Sequence, residues 1–329
     1  MSNVETEPPV LDCGDDAAGH GGVEVLGGVE VLGARDVPLG GPRAMKVRRT
    51  LPQRKRSLVG AWCFADHYGP DDPRTTGGMS VGSHPHTGLQ TVSWLFAGEI
   101  EHRDSLGSHA MIRPGELNLM TGGHGICHSE VSTPETTTLH GVQLWVALPD
   151  AHRHAARDFQ HYAPPATDLG GATARVFLGT LAGETAPVKT FTPLLGAELV
   201  LAPGARVTLD VDPEYEHGVL VDTGEVTFAG SALHSTDLGY LGTGRATLEL
   251  TNTGDGRARV LLLGGPPFGE EIVMWWNFLA RTHEEIVEYR EAWQAESPQF
   301  GAIPEVPGDP ARLPAPVLPN VRIKPRRNP

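Results

Sequence analysis

The sequence predicts an all-β protein of two strand-rich domains, with one short helix near the C-terminus. Three observations carry this. The chain has 329 residues, too many for one small core. It holds 41 glycines and 28 prolines while only 20% of its residues are charged, a turn-rich composition foreign to helical bundles. Short runs of β-branched and aromatic residues then recur at regular intervals between turn residues, as in sandwiches and barrels.

Residues 1–34 read as an acidic, Gly-rich flexible leader. Within it Gly21-Gly22-Val23-Glu24-Val25-Leu26 recurs as Gly27-Gly28-Val29-Glu30-Val31-Leu32, read as an accidental duplication; a short edge strand starting near Val29 is the alternative. A first domain is expected over 35–163. Its strands include Thr91 to Phe96, stopped by Ala97-Gly98, and Gly141 to Val146, ended by Pro149-Asp150. Between them, after the Pro114-Gly115 turn, Glu116 to Met120 alternates polar with apolar, the mark of a strand with one buried face. Trp62, Phe64, Trp94 and Trp145 are expected core aromatics, one of which could line a pocket.

Ala163-Pro164-Pro165-Ala166 reads as a linker into a second domain over 164–296. Its strands carry Leu199-Val200-Leu201, Val207-Thr208-Leu209, Gly218 to Val221 and Val260 to Leu263, and Pro203-Gly204 echoes the earlier Pro-Gly turn, hinting at duplication. From Thr282 the spacing becomes helical: Thr282 and Glu285 suit a capping box, and Ile286, Tyr289 and Trp293 share one face. The Pro-rich tail 297–329 has no periodicity, and either wraps over the domain as an extended arm or stays mobile.

A formal charge of −14 argues against nucleic acid as a direct ligand, since phosphate contact needs a basic surface. The Arg54-Lys55-Arg56 cluster is read as solvated. Cys13, Cys63 and Cys127 make no disulfide framework, which fits a reducing compartment. With no basic, apolar leader and no apolar run of ~20 residues, a soluble cytoplasmic protein is expected, without a membrane partner.

The chemistry-bearing text is Gly78-Met79-Ser80-Val81-Gly82-Ser83-His84-Pro85-His86-Thr87-Gly88. Residues i and i+2 of a strand share a face, so His84 and His86 would present both imidazoles together. His128-Ser129-Glu130 repeats that geometry with an imidazole and a carboxylate. On facing strands the two pairs would make a three-histidine, one-carboxylate site for a divalent transition metal. By the same alternation Cys127 should face away and pack. His124 also sits beside the ligand strand.

These residues resemble the pirin family of the cupin superfamily. The likeness rests on His84 to Val92, Gly98-Glu99-Ile100-Glu101-His102-Arg103-Asp104-Ser105-Leu106-Gly107, and Pro114 through Glu130. His140 to Val146, Pro266 to Glu271 and the helix from Thr282 continue it, so that it spans about Ala34 to Glu296. The resemblance implies two cupin barrels (double-stranded β-helix, or jelly-roll), with metal ligands His84, His86, His128 and Glu130 in the first. Gln90 stands where many cupins carry a glutamate ligand, a role that passes to Glu130 in this family. By the family pattern His102 and Arg103 would lie near the pocket mouth, or else in a solvated turn. His217 and His234 in the second domain lack such pairing and read as surface or core residues, so one metal per chain is expected.

Such a ligand set leaves two octahedral positions open, as a catalytic site needs. The resemblance puts Fe(II) first among the cations, with Zn, Ni, Mn, Co or Cu as alternatives. It implies an oxidoreductase of the quercetin 2,3-dioxygenase type, taking a flavonol and dioxygen, with Glu130 as general base. The alternative is an iron-dependent redox-sensing regulatory protein that binds a protein partner through its acidic surface.

Overall fold

Strands dominate because the apolar runs are short, β-branched and cut by glycine turns. The computed structural model describes residues 23–26, 28–39 and 45–328. They form two barrels, each a large sheet closed against a four-stranded one. In the first, a seven-stranded sheet includes Leu89–Ala97, Leu117–Thr121, Leu139–Ala147 and Trp62–Asp71. Its small sheet is ordered Ser80–His86, Ile126–Ser132, Ile100–Asp104, His109–Ile112. In the second, an eight-stranded sheet containing Leu195–Leu201, Glu216–Thr223 and Ala258–Gly265 faces a four-stranded sheet containing Arg206–Asp210 and Thr247–Asn252. No helix among the described residues is long and apolar enough to cross a membrane.

The two large sheets pack back to back, and the period-two alternation of each strand decides what meets what. From the first barrel Val92, Trp94, Leu117, Leu119, Val142 and Leu144 point outward into one cluster with Leu220, Leu261, Leu263 and Phe177 of the second. Trp94 also donates its indole N–H to Glu198 Oε2 at 2.9 Å, so its one polar atom is satisfied across the interface. The alternate residues face the barrel interiors, and here the domains differ. The second barrel is filled by Leu199, Val219, Val260, Leu262, Val207, Leu248 and Leu250. The first barrel turns Thr91, Ser93, Asn118 and Gln143 inward, all buried. One barrel is therefore filled with hydrocarbon and the other lined with polar groups.

Leu117–Thr121 departs from the expected strand with a single buried face. All five residues are buried, not one face alone. Leu117 and Leu119 serve the interdomain cluster, while Asn118 faces the other way and is buried at the barrel's edge, its Oδ1 accepting at 2.7 Å from Nδ1 of the exposed His161 on the neighbouring strand. Polar alternation here marks a polar interior rather than solvent.

The flexible leader does not extend through residue 32. Val29–Leu32 is a strand paired with Leu238–Leu241 of the second barrel, with Val29 and Leu32 fully buried. Val23–Leu26 pairs with it in turn, so the duplicated segments form one hairpin; residues 1–22 lie outside those described. Arg54 and Lys55 are exposed as expected, but Arg56 is buried. Its guanidinium binds Glu30 at 2.6 Å and covers the Tyr240 ring at 3.8 Å, tying that hairpin down.

The helix His283–Gln294 has the expected capping box, with Thr282 and Glu285 each closing on the other's backbone, and buries Ile286, Tyr289 and Trp293. Beyond it the tail is extended and packed. Phe300 is buried, Leu313 N donates to Ser83 O at 2.8 Å, and Arg326 and Ile272 exchange backbone hydrogen bonds. At Gly82 a β-carbon would lie 1.9 Å from the Ala311 carbonyl oxygen, so the tail lies directly on the backbone of Ser80–His86.

Candidate metal centre

The small sheet of the first barrel carries every sequence-predicted ligand. Ser80–His86 and Ile126–Ser132 are hydrogen-bonded antiparallel neighbours, with His128 opposite His84. The two pairs therefore lie side by side in one sheet rather than on facing strands, and this adjacency brings the rings together. A β-bulge between His128 and Glu130 shifts the register there and re-aims the carboxylate.

Nitrogens of His84, His86 and His128 all lie within 4.8 Å of one another, and all three side chains are fully buried. His86 Nε2 and His128 Nε2 are 3.1 Å apart, and the His84 and His128 ring centroids 4.3 Å apart. Glu130 joins through His128: one atom each of its carboxylate, His128 and His102 lie within 4.8 Å of one another. The structure thus brings the three imidazoles together and sets Glu130 beside one of them.

His84 Nδ1 lies 2.7 Å from Gly82 O, a carbonyl, so Nδ1 carries the proton and Nε2 keeps its lone pair. His128 Nδ1 lies 3.3 Å from His102 Nδ1, and His102 Nε2 lies 3.1 Å from Asp104 Oδ2. One assignment satisfies all of these contacts. Asp104 accepts from His102 Nε2–H, and His102 Nδ1 accepts from His128 Nδ1–H, which leaves His128 Nε2 unprotonated and able to accept from His86 Nε2 at 3.1 Å. Burial drives the His84 pKa down to about 4. Burial, then the neighbouring His84, drives His86 and His128 well below the ordinary histidine range. At neutral pH the cluster holds three uncharged imidazoles next to a carboxylate, a donor set that fits a divalent transition metal.

The surroundings are largely closed. Trp145 stands edge-on to His86 at 5.3 Å and stacks on Phe64 at 4.0 Å, so these two aromatics line the interior, whereas Trp62 and Trp94 belong to the interdomain cluster. Ser93 Oγ reaches both Glu130 Oε1 at 3.3 Å and Gln143 Oε1 at 3.0 Å. Tyr68 is fully buried; burial, then the Glu130 charge, pushes its hydroxyl pKa well up. Gln90 donates to Thr121 Oγ1 at 2.9 Å, on the sheet face opposite Ser93 and so away from the ligand set. Cys127 is buried on the outer side, its thiol 3.7 Å from Gly301 O of the tail, and Cys63 is likewise buried and free.

His102 is neither at a mouth nor in a solvated turn. It lies within Ile100–Asp104, is buried behind His128, and stacks on Phe159 at 4.9 Å. Arg103 points the other way, into ion pairs with Glu101 and Asp309. Asp104 and Ser93 were missed from sequence. Asp104 had a signal, for His102-Arg103-Asp104 is a third i, i+2 pair of potential ligand residues; Ser93 had none, because its role comes from a strand across the barrel. His124 and His234 are exposed, and His217 is a core residue of the second barrel.

Comparison with known proteins agrees with this architecture. The pirin family model matches residues 44–146, and the model of the pirin C-terminal cupin domain matches 196–300. A Pseudomonas aeruginosa protein provisionally named a quercetin 2,3-dioxygenase is 44% identical over 87% of this chain and 89% of its own. A pirin-like protein of Caulobacter vibrioides is 35% identical over 76% of this chain and 88% of its own. A crystal structure titled quercetin 2,3-dioxygenase from Acinetobacter baumannii superposes with a TM-score of 0.84 at 39% identity, covering 90% of this chain and 97% of that one. With both cupin barrels matched and near full-length relatives at this identity, the chain belongs to the pirin family.

Proposed function

We propose that this protein is a metal-dependent dioxygenase that opens the heterocyclic ring of quercetin-type flavonols. The observation that carries the reading is the asymmetry between the barrels. His84, His86, His128 and Glu130 face a polar interior in the first, while the second is packed with aliphatic side chains. The names of the P. aeruginosa relative and the A. baumannii structure support the substrate class.

The three imidazoles and Glu130 would hold the cation, Fe(II) in this reading. When bound it supplies Lewis acidity to the flavonol's 3-hydroxyl and neighbouring carbonyl. Glu130 accepts the 3-hydroxyl proton as general base, and Ser93 Oγ, whose single proton is shared between Glu130 Oε1 at 3.3 Å and Gln143 Oε1 at 3.0 Å, helps to orient the carboxylate. Trp145 provides an apolar wall beside His86 against which a flat aromatic substrate can lie. Burial of the whole set keeps bulk water from competing for the deprotonated flavonol. Flavonolate and dioxygen then yield the ring-opened ester and carbon monoxide, with every atom conserved.

The test is aerobic turnover of quercetin by iron-loaded protein, following loss of flavonol absorbance together with carbon monoxide release. Glu130→Gln is expected to lose on the order of 10²–10⁴ in rate while still retaining metal. Parental rates in that variant, or no carbon monoxide from fully loaded parent protein, would sink the proposal.

A further inference from the structure

A second buried constellation lies between the barrels, separate from the first. His67 of Trp62–Asp71 and His140 of Leu139–Ala147 come from one large sheet, and Asp222 of Glu216–Thr223 comes from the other. All three are buried, at 2%, 7% and 3% exposure, although no sequence motif joins them. His67 Nε2 lies 2.7 Å and His140 Nε2 2.6 Å from the same oxygen, Asp222 Oδ1, and the two nitrogens are 3.3 Å apart.

These distances define a triangle of circumscribed radius about 1.7 Å, so a point about 1.2 Å out of its plane lies roughly 2.0–2.1 Å from all three atoms. That is the bonding distance of zinc to imidazole nitrogen and carboxylate oxygen. Read as hydrogen bonds alone, the contacts require two N–H groups to enter one oxygen at an angle of about 77°, with their hydrogens crowded together. A cation takes the same three atoms with no hydrogens between them. Arg259 Nη1 binds the other oxygen, Oδ2, at 3.1 Å and so leaves Oδ1 to the imidazoles. Its charge and that of Arg48 lower the affinity for a further cation, which places this site below the first in strength. His140 is the most exposed of the three, at 9% of its side chain, so a cation and a water as fourth ligand would enter from its side.

We propose that His67, His140 and Asp222 form a second divalent transition-metal site, suited to zinc, that ties the two barrels to each other. It raises the expected content from one cation per chain to two. The test is zinc titration of chelator-stripped, full-length protein against a chromophoric chelator, with thermal melting read in parallel. The parent is expected to bind two equivalents. His140→Gln should lose the weaker one, and a His84→Gln/His86→Gln double variant should lose the tighter one and keep the other. Zinc should raise the melting temperature of that double variant, and adding His140→Gln to it should abolish the rise. Asp222→Asn gives the same reading where it folds; His67→Gln replaces it where circular dichroism shows that it does not. A parent that binds one equivalent, unaffected by His140→Gln and abolished in the double variant, overturns this proposal and leaves the first site standing. One equivalent lost with His140→Gln but kept in the double variant overturns the first site instead.

Discussion

Replacing His102 by phenylalanine isolates the relay behind the first metal centre. Phenylalanine keeps a flat ring stacked on Phe159, where the centroids lie 4.9 Å apart at an interplanar angle of 30°. What it removes is the acceptor 3.3 Å from His128 Nδ1. Asp104 loses one donor but keeps the backbone N–H groups of Leu106 and Ser108 at 2.9 and 3.0 Å, so the loop there should hold. His128 is fully buried and its Nδ1–H would then face carbon, a loss of about 1–3 kcal/mol. With the ring no longer locked in the tautomer that bares Nε2, metal affinity should fall about 10–100-fold. That is about 1.4–2.8 kcal/mol of binding free energy. Competition with a chromophoric chelator measures this directly, with circular dichroism as a check on folding. Asp104→Asn should give a smaller loss, because it weakens the last link only. A folded His102→Phe protein that binds metal within threefold of the parent would refute the relay.

Three further outcomes follow from the same structure. His217 is fully buried among apolar residues of the second barrel, with no hydrogen bond to either ring nitrogen among the described residues, and burial pushes its pKa down to about 4. The unfolded chain therefore takes up this proton first, and the stabilisation present above about pH 6.5 is lost as pH falls toward 4. Urea unfolding at pH 7 and pH 5 should show the parent losing about 2 kcal/mol more than His217→Leu over that interval; equal losses would exclude the assignment. Gly82→Ala places a methyl group 1.9 Å from the Ala311 carbonyl oxygen and must push the tail away, so trypsin should cleave at Arg312 faster than in the parent, and unchanged protection would contradict the packing. Thr282→Ala removes one half of the capping box and should cost about 1 kcal/mol in chemical denaturation, with no change at the metal centre.

Much of this protein is legible along the chain. Strand positions followed from β-branched runs between glycine turns, the C-terminal helix from its capping box, and the ligand candidates from i, i+2 pairs, because each is set by neighbours along the chain. Family membership was legible for the same reason, in contiguous stretches such as His84 to Val92. Tertiary structure decided what depends on contacts between distant segments. Alternation at Leu117–Thr121 could not say whether the polar face met water or a polar barrel interior, since both satisfy the same side chains. Whether the tail was mobile or packed depended on the groove it fills along Ser80–His86. His67, His140 and Asp222 lie 73 and 155 residues apart in pairs with His67, and only the back-to-back packing of two sheets brings their donor atoms to one point. Local chemistry is written in order along the chain, whereas a site assembled from separate strands exists only once loop closure and burial have brought those strands together.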